Sequence, residues 1–72
     1  MNIYKLKSIM ILHGDTGNTL AKALGISPQR FSAKINERNG AEFTQGEIMA
    51  IKERYNLSAD DIDDIFFSKK VS

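Results

Sequence analysis

Apolar residues along the chain recur every three to four positions, the spacing that places them on one face of an α-helix. This pattern divides the sequence into five short segments, and no alternating stretch is long enough to predict a strand. The first segment begins after Asn2, which can cap a helix, and ends near His13 and Gly14. The pattern therefore predicts an all-α fold of five helices forming a single domain over residues 1–72.

Polar residues able to cap a helix precede the other four apolar segments. These caps are Thr16 or Asn18, Ser27, Thr44 and Ser58. Serine at position 27 followed by proline is a strong start, because serine accepts a bond from a free amide and proline suits the first helical position. Glu47 and Asp61 stand three residues after the last two caps, which is the spacing of a capping box. The Asn39-Gly40 pair predicts a turn between the third and fourth helices.

The middle of the chain, residues 16–36, has the pattern of a helix-turn-helix. Two helices joined by a short turn need a small residue at their closest approach and a residue that tolerates positive φ in the turn. Ala21 and Gly25 supply these two features. Ile26, Phe31 and Ile35 are spaced to hold the second helix of the motif against the first.

This segment resembles the phage Cro and CI repressor family. The family pattern T-x-x-x-L-A-x-x-L-G-[IV]-S-x-x-x-[IF] is matched by Thr16, Leu20, Ala21, Leu24, Gly25, Ile26, Ser27 and Phe31. The run from Leu24 to Asn36 is similar to short Cro-like regulators of temperate phages and prophages in Gram-positive bacteria. The resemblance covers about residues 3–57. It implies a lambda-repressor-like bundle and a transcriptional repressor that occupies palindromic operators, at the nucleoid of a bacterial host when bound to DNA.

The resemblance also implies which residues meet double-stranded DNA, since in the family the third helix enters the major groove. The face opposite Phe31 and Ile35 supplies the expected base contacts, namely Gln29, Arg30, Ser32, Ala33 and Asn36. Glutamine suits adenine, arginine suits guanine and alanine suits the thymine methyl. The expected phosphate contacts are Thr16, Asn18, Thr19, Ser27, Lys34 and Arg38. For Asn36 a helix C-cap is an equally good interpretation, and each polar residue could simply be solvated.

Two residues depart from the family pattern. Gly17 stands where the family usually has a glutamine that binds phosphate and braces the recognition helix. Pro28 stands where many relatives have a polar side chain that reads a base. Asn18 or Thr19 can replace the phosphate-binding glutamine. The loss of a base-reading side chain at position 28 predicts a narrower specificity or a larger contribution from DNA shape.

Charge is distributed unevenly although the whole chain carries only +1. Residues 1–38 hold six cations against two carboxylates, a net +4, whereas residues 39–72 hold four cations against seven carboxylates, a net −3. The basic half is suited to a polyanion. The acidic half suggests an alternative function, in which an antirepressor-like modulator binds a partner protein such as another phage regulator.

Composition limits the remaining possibilities. A chain of 72 residues without cysteine has no disulfide or thiolate metal site to stabilise a small core, which favours good helix packing or a homodimer. The longest apolar run, residues 9–12, is far too short to cross a bilayer and the N-terminus lacks a signal-peptide pattern. We therefore expect a soluble cytoplasmic protein without membrane contact.

Three features that could indicate catalysis or metal binding have simpler interpretations. Asp15-Thr16-Gly17 matches the aspartic protease triplet, but it occurs once and between helices rather than after a strand. His13 has no suitably spaced nucleophile and is better placed to end the first helix. The carboxylates of residues 60–64 lack the spacing of a calcium loop and suit a helix N-terminus. The sequence thus predicts no enzyme, no metal and no cofactor.

The end of the chain leaves two alternatives open. Phe67 lies about 100° away from the apolar stripe of the fifth helix and should be exposed if that helix continues. In one interpretation a short extended tail, residues 67–72, leaves the helix together with Phe66, and the tail pairs with a second copy through Phe66, Phe67 and Val71. In the other, Phe67 folds back onto its own domain.

Overall fold

The computed structural model describes residues 1–67, which form five α-helices and no strand. The helices are α1 (Ile3–Leu12), α2 (Gly17–Leu24), α3 (Pro28–Ile35), α4 (Gln45–Arg54) and α5 (Ala59–Ile62). A short 3₁₀ turn, Arg38–Gly40, lies between α3 and α4, and α5 runs directly into a π-helical turn, Asp63–Phe67. The prediction of an all-α fold with five helices is confirmed.

Local capping interactions explain where the helices begin. In each of the five, a side-chain oxygen of the preceding residue accepts a bond from an amide three residues further on; these caps are Asn2, Thr16, Ser27, Thr44 and Ser58. The capping boxes predicted at Thr44 and Ser58 both form. A third, at Thr16, pairs with Thr19, whose hydroxyl accepts from the Thr16 amide at 2.8 Å.

The core lies where the helices converge, and α1, α2, α4 and the π-helical turn each contribute one large, fully buried side chain. These side chains are Leu6, Leu20, Ile51 and Ile65. From α3, Phe31 and Ile35 are buried as predicted. Phe43, from the loop before α4, packs edge-on against both Phe31 and Phe66 with ring centroids 5.8 Å apart in each pair. These three packed rings fix the position of α3 relative to the end of the described residues.

The end of the described chain differs from both sequence alternatives. Phe66 and Phe67 do not leave the helix, because the π-helical turn includes both residues. Phe66 packs on Phe43 within its own chain, whereas Phe67 is 58% exposed and is neither extended nor folded back. Ile65 is fully buried and its carbonyl accepts from the Asn2 amide at 2.7 Å, which ties the turn to α1. Val71 lies outside the described residues.

Within residues 1–67, no helix has both the length and the apolar character needed to span a membrane.

Candidate nucleic-acid interface

The two helices of the predicted motif, α2 and α3, meet through a tight turn. Gly25 ends α2 in the left-handed region, with φ 75° and ψ 26°, a conformation in which a side chain would be strained. The amide of Ile26 donates to the Ala21 carbonyl at 3.0 Å, and the Ala21 side chain is fully buried. Ser27 then caps α3 through the Arg30 amide at 3.1 Å. Both predicted requirements of the turn are therefore present.

The expected base-contacting residues fall into two groups by exposure. Gln29, Arg30 and Asn36 are exposed, whereas Ser32 and Ala33 are half-buried. Gln29 and Arg30 stand in the first turn of α3, the part that enters the major groove in helix-turn-helix proteins. The first turn of α3 is thus the best placed to meet a base edge.

Asn36 serves as the C-cap of α3. Its side-chain amide nitrogen donates to the Ser32 carbonyl at 2.9 Å, and its backbone amide donates to the same carbonyl at 3.1 Å. The C-cap interpretation of Asn36 is therefore confirmed, although its side chain stays exposed.

The prediction that Lys34 projects toward phosphates is wrong. Lys34 is only 7% exposed, and its ammonium donates to both carboxylate oxygens of Glu47 on α4, at 2.7 and 2.8 Å. Burial of the Glu47 carboxyl raises its pKa, but the Lys34 ammonium and the Thr44 amide more than offset this and lower the pKa overall. Lys34 lies about 60° from Phe31 around the helix, and the position of α4 makes this edge of α3 an interior one.

The other expected phosphate contacts are all exposed and lie around the N-termini of α2 and α3 and at the 3₁₀ turn. They are Thr16, Asn18, Thr19, Ser27 and Arg38. The oxygens of Thr16 and Ser27 accept the capping amides, and the Thr19 hydroxyl donates to the Asp15 carboxylate at 2.8 Å. Asn18 and Arg38 are the two whose side chains have no hydrogen bond or ion pair among residues 1–67.

A groove of about 430 Å³ runs between the end of α1, the start of α2 and one side of α3. Its floor is apolar, with Met10, Phe31 and Ile35, while Asn18 and Lys7 lie among its polar lining. Lys7 is exposed and makes no ion pair within the described part of the chain. Sequence reasoning missed Lys7 as a candidate contact, because only the packing of α1 beside α3 brings it to this surface.

The Asp15-Thr16-Gly17 triplet lies where the connection from α1 enters α2, with Thr16 as the N-cap and Gly17 as the first residue of the helix. The Asp15 carboxylate accepts bonds from Arg54, Tyr55 and Thr19. The Arg54 guanidinium, followed by the Tyr55 hydroxyl, holds the pKa of Asp15 far below its usual range. A carboxylate kept ionised in this way is unsuited to the shared proton of a protease pair.

His13 and the acidic residues near the end of the chain have structural contacts. His13 is the C-cap of α1, and its ring lies 4.9 Å from that of Tyr55. The Asp61 carboxylate accepts from the Ser58 amide in the capping box of α5, and the Lys5 ammonium lies 3.2 Å from Asp61 and 3.0 Å from Asp64. Among residues 1–67, no cluster of three or more possible metal-ligating side chains occurs.

Compared with protein-family models, with curated proteins and with solved structures, the chain gives no significant match.

Proposed function

We propose that this chain is a sequence-specific regulator of transcription that binds double-stranded DNA and inserts α3 into the major groove. The observation that carries the proposal is the geometry of α2 and α3. A left-handed glycine turn and a serine cap join two helices of eight residues each, and the outer first turn of the second helix exposes Gln29 and Arg30. The resemblance to the Cro and CI repressors supports a phage or prophage repressor that has no catalytic activity.

The chemistry of the exposed side chains supports this function. Gln29 has an amide that can pair with both N6 and N7 of adenine, and Arg30 can bind O6 and N7 of guanine. The donors that suit phosphate oxygens around α3 are Asn18, Lys7 and Arg38. Contacts with phosphates fix the register of a protein on the duplex without reading the base sequence. Two of the six cations in residues 1–38, Lys5 and Lys34, pair with carboxylates of the second half, so the general attraction to DNA comes from the other four, Lys7, Lys22, Arg30 and Arg38.

A homodimer on DNA is part of the proposal. A single eight-residue helix reads only a few base pairs, so two copies are needed to recognise a site long enough to be specific. Two recognition helices about 34 Å apart would meet successive turns of the major groove and require a palindromic operator.

Selection from random-sequence duplexes, followed by anisotropy titration, tests the proposed function. We expect enrichment of a palindromic sequence and an affinity that falls steeply with salt, because each phosphate contact adds about −0.9 to the slope of log K against log salt. Failure to enrich any sequence, with affinity independent of salt, would contradict it. Sedimentation with and without the selected duplex then shows whether two chains assemble on one site.

A second candidate function is binding of a partner protein by the acidic half. The observation in its favour is the exposed side of the C-terminal helix, where Asp60, Asp63 and the 58% exposed Phe67 lie in the same short segment. Large aromatic side chains bordered by charge occur often at protein interfaces. This candidate predicts that Phe67→Ala abolishes capture of a phage regulator, whereas Gln29→Ala leaves it unchanged.

A further inference from the structure

Asp15 is a carboxylate at the edge of the surface that the proposed function turns toward DNA. It lines the groove between α1, α2 and α3 together with Lys7, Thr16 and Asn18, and it is the one acidic residue among those lining that groove. A negative charge facing DNA phosphates would repel them and lower affinity. This inference rests on the proposed function and concerns how neighbouring side chains compensate the negative charge of Asp15.

Three side chains hold the Asp15 carboxylate through four hydrogen bonds. Arg54 binds it at two points, with Nε 2.8 Å from Oδ2 and a terminal nitrogen 2.8 Å from Oδ1. The Tyr55 hydroxyl donates to Oδ2 at 2.6 Å and the Thr19 hydroxyl donates to Oδ1 at 2.8 Å. The Asp15 side chain is only 9% exposed as a result. Two-point binding by arginine fixes the orientation of a carboxylate as well as its charge.

Two of the carboxylate's partners, Arg54 and Tyr55, are not among the residues that line the groove. Arg54 ends α4 and lines a different surface depression, between α2 and α4, with Leu24 and Glu53. Tyr55 is 5% exposed and packs on His13. Burial raises the pKa of Tyr55 to about 12, so its hydroxyl keeps its proton and remains a donor. The charge of Asp15 is thus compensated from behind, toward α4.

We propose that Arg54 is a positioning residue for DNA binding, which turns the Asp15 carboxylate away from the groove and neutralises it without touching DNA itself. Loss of Arg54 then harms affinity chiefly by releasing a negative charge toward the phosphates. Removing that charge at the same time must restore affinity. A purely structural role predicts the opposite, because the double variant also lacks every contact between residues 15 and 54.

The test compares Arg54→Gln, Asp15→Asn and the double variant for affinity toward the selected duplex. We expect Arg54→Gln to bind about tenfold more weakly and the double variant to return to within about threefold of the unaltered chain. Lys52→Gln on the same helix loses the same charge without facing a carboxylate and should stay within about threefold. A double variant as weak as Arg54→Gln, or weaker, would overturn the proposal.

Two further measurements keep the inference separate from folding and from the proposed function. Arg54→Lys keeps the positive charge but loses the two-point bond to Asp15, so it should bind DNA about three- to tenfold more weakly than the unaltered chain, and it serves if Arg54→Gln does not fold. Carbon-13 titration of the Asp15 carboxyl needs no DNA: it should move to higher pH in Arg54→Gln, and an unchanged titration would overturn the proposal. If the unaltered chain selects no duplex but this titration moves, the proposed function fails while the compensation by Arg54 stands.

Discussion

Arg30 and Lys34 are two cations one turn apart in the same helix, yet they face different environments. Arg30 is exposed and has no ion-pair partner within residues 1–67, whereas Lys34 is 7% exposed and pairs with Glu47. The outer side of α3 therefore keeps its hydrogen-bonding groups available, and the side facing α4 uses them within the fold. Both residues carry the same charge, and they differ in their contact with α4, which covers Lys34 and leaves Arg30 exposed.

The difference has an energetic basis. An exposed cation loses little solvation and contributes little to stability, so it can be used for binding without cost to the fold. A buried cation has lost its water and depends on its partner, so removal of either member leaves an uncompensated charge. The two sides of α3 should consequently respond to substitution in opposite ways.

The largest expected effect is on stability, from Lys34→Ala. This substitution leaves Glu47 buried without its partner and should lower the free energy of unfolding by about 3 kcal/mol, measured by urea denaturation. Arg30→Ala is the matched control on the outer side and should change stability by no more than about 0.5 kcal/mol. Equal losses from the two variants would remove the distinction between the two sides.

Gln29→Ala should produce the converse result. Loss of a two-point base contact is expected to cost roughly 1 to 3 kcal/mol of affinity for the selected operator and to relax preference at one base pair. Stability should be unaffected, because Gln29 is exposed. Gln45→Ala, an exposed glutamine at the start of α4, is the control and should leave affinity unchanged. Unaltered operator affinity in Gln29→Ala would mean that this side of α3 does not face bases.

A smaller effect is expected from Asp15→Asn, and it depends on pH. The folded pKa of Asp15 lies far below its unfolded value of about 3.9, so the unfolded chain binds the proton first. The stabilisation is therefore complete above about pH 4 and is lost as the pH falls below it. At neutral pH the variant should be less stable by about 1 to 2 kcal/mol. Denaturation measured between pH 2 and 7 should show that the free energy of unfolding falls less steeply with decreasing pH in the variant than in the unaltered chain. Identical pH dependence in the two proteins would contradict this.

The smallest effect is expected at an exposed carboxylate of the acidic half. Asp60→Asn removes a favourable charge from the first turn of α5 and should cost about 0.3 to 0.5 kcal/mol, with no change in DNA affinity. Thermal denaturation at low salt can detect this difference. A loss of DNA affinity in Asp60→Asn would show that the acidic half takes part in binding.

Much of the fold could be predicted because its determinants are local. The caps at Thr44 and Ser58 act over three residues, and Gly25 adopts the positive φ that the turn after α2 needs. The sequence alone did not reveal the partner of Lys34, which is 13 positions away, or that of Asp15, which is 39 positions away. Those contacts depend on how α4 packs against α2 and α3, and helix periodicity carries no information about this packing.

The helical turn at the end of the described chain was missed for a similar reason. A tail containing Phe66 and Phe67 has no local feature that distinguishes an extended strand from a helix. The deciding contacts are the packing of Phe66 on Phe43 and the bond from Asn2 to the Ile65 carbonyl, and both join distant parts of the chain.

The salt dependence of binding to the selected duplex, measured for the unaltered chain and for Gln29→Ala in parallel, tests the central claim most directly. The account predicts a steep fall of log K with log salt for both proteins, with equal slopes and a constant difference in affinity of about five- to 150-fold. Equal slopes with a lower intercept would mean that phosphate contacts persist while one base contact is lost. Salt-independent binding, or coincident curves for the two proteins, would contradict the claim that the outer side of α3 reads DNA.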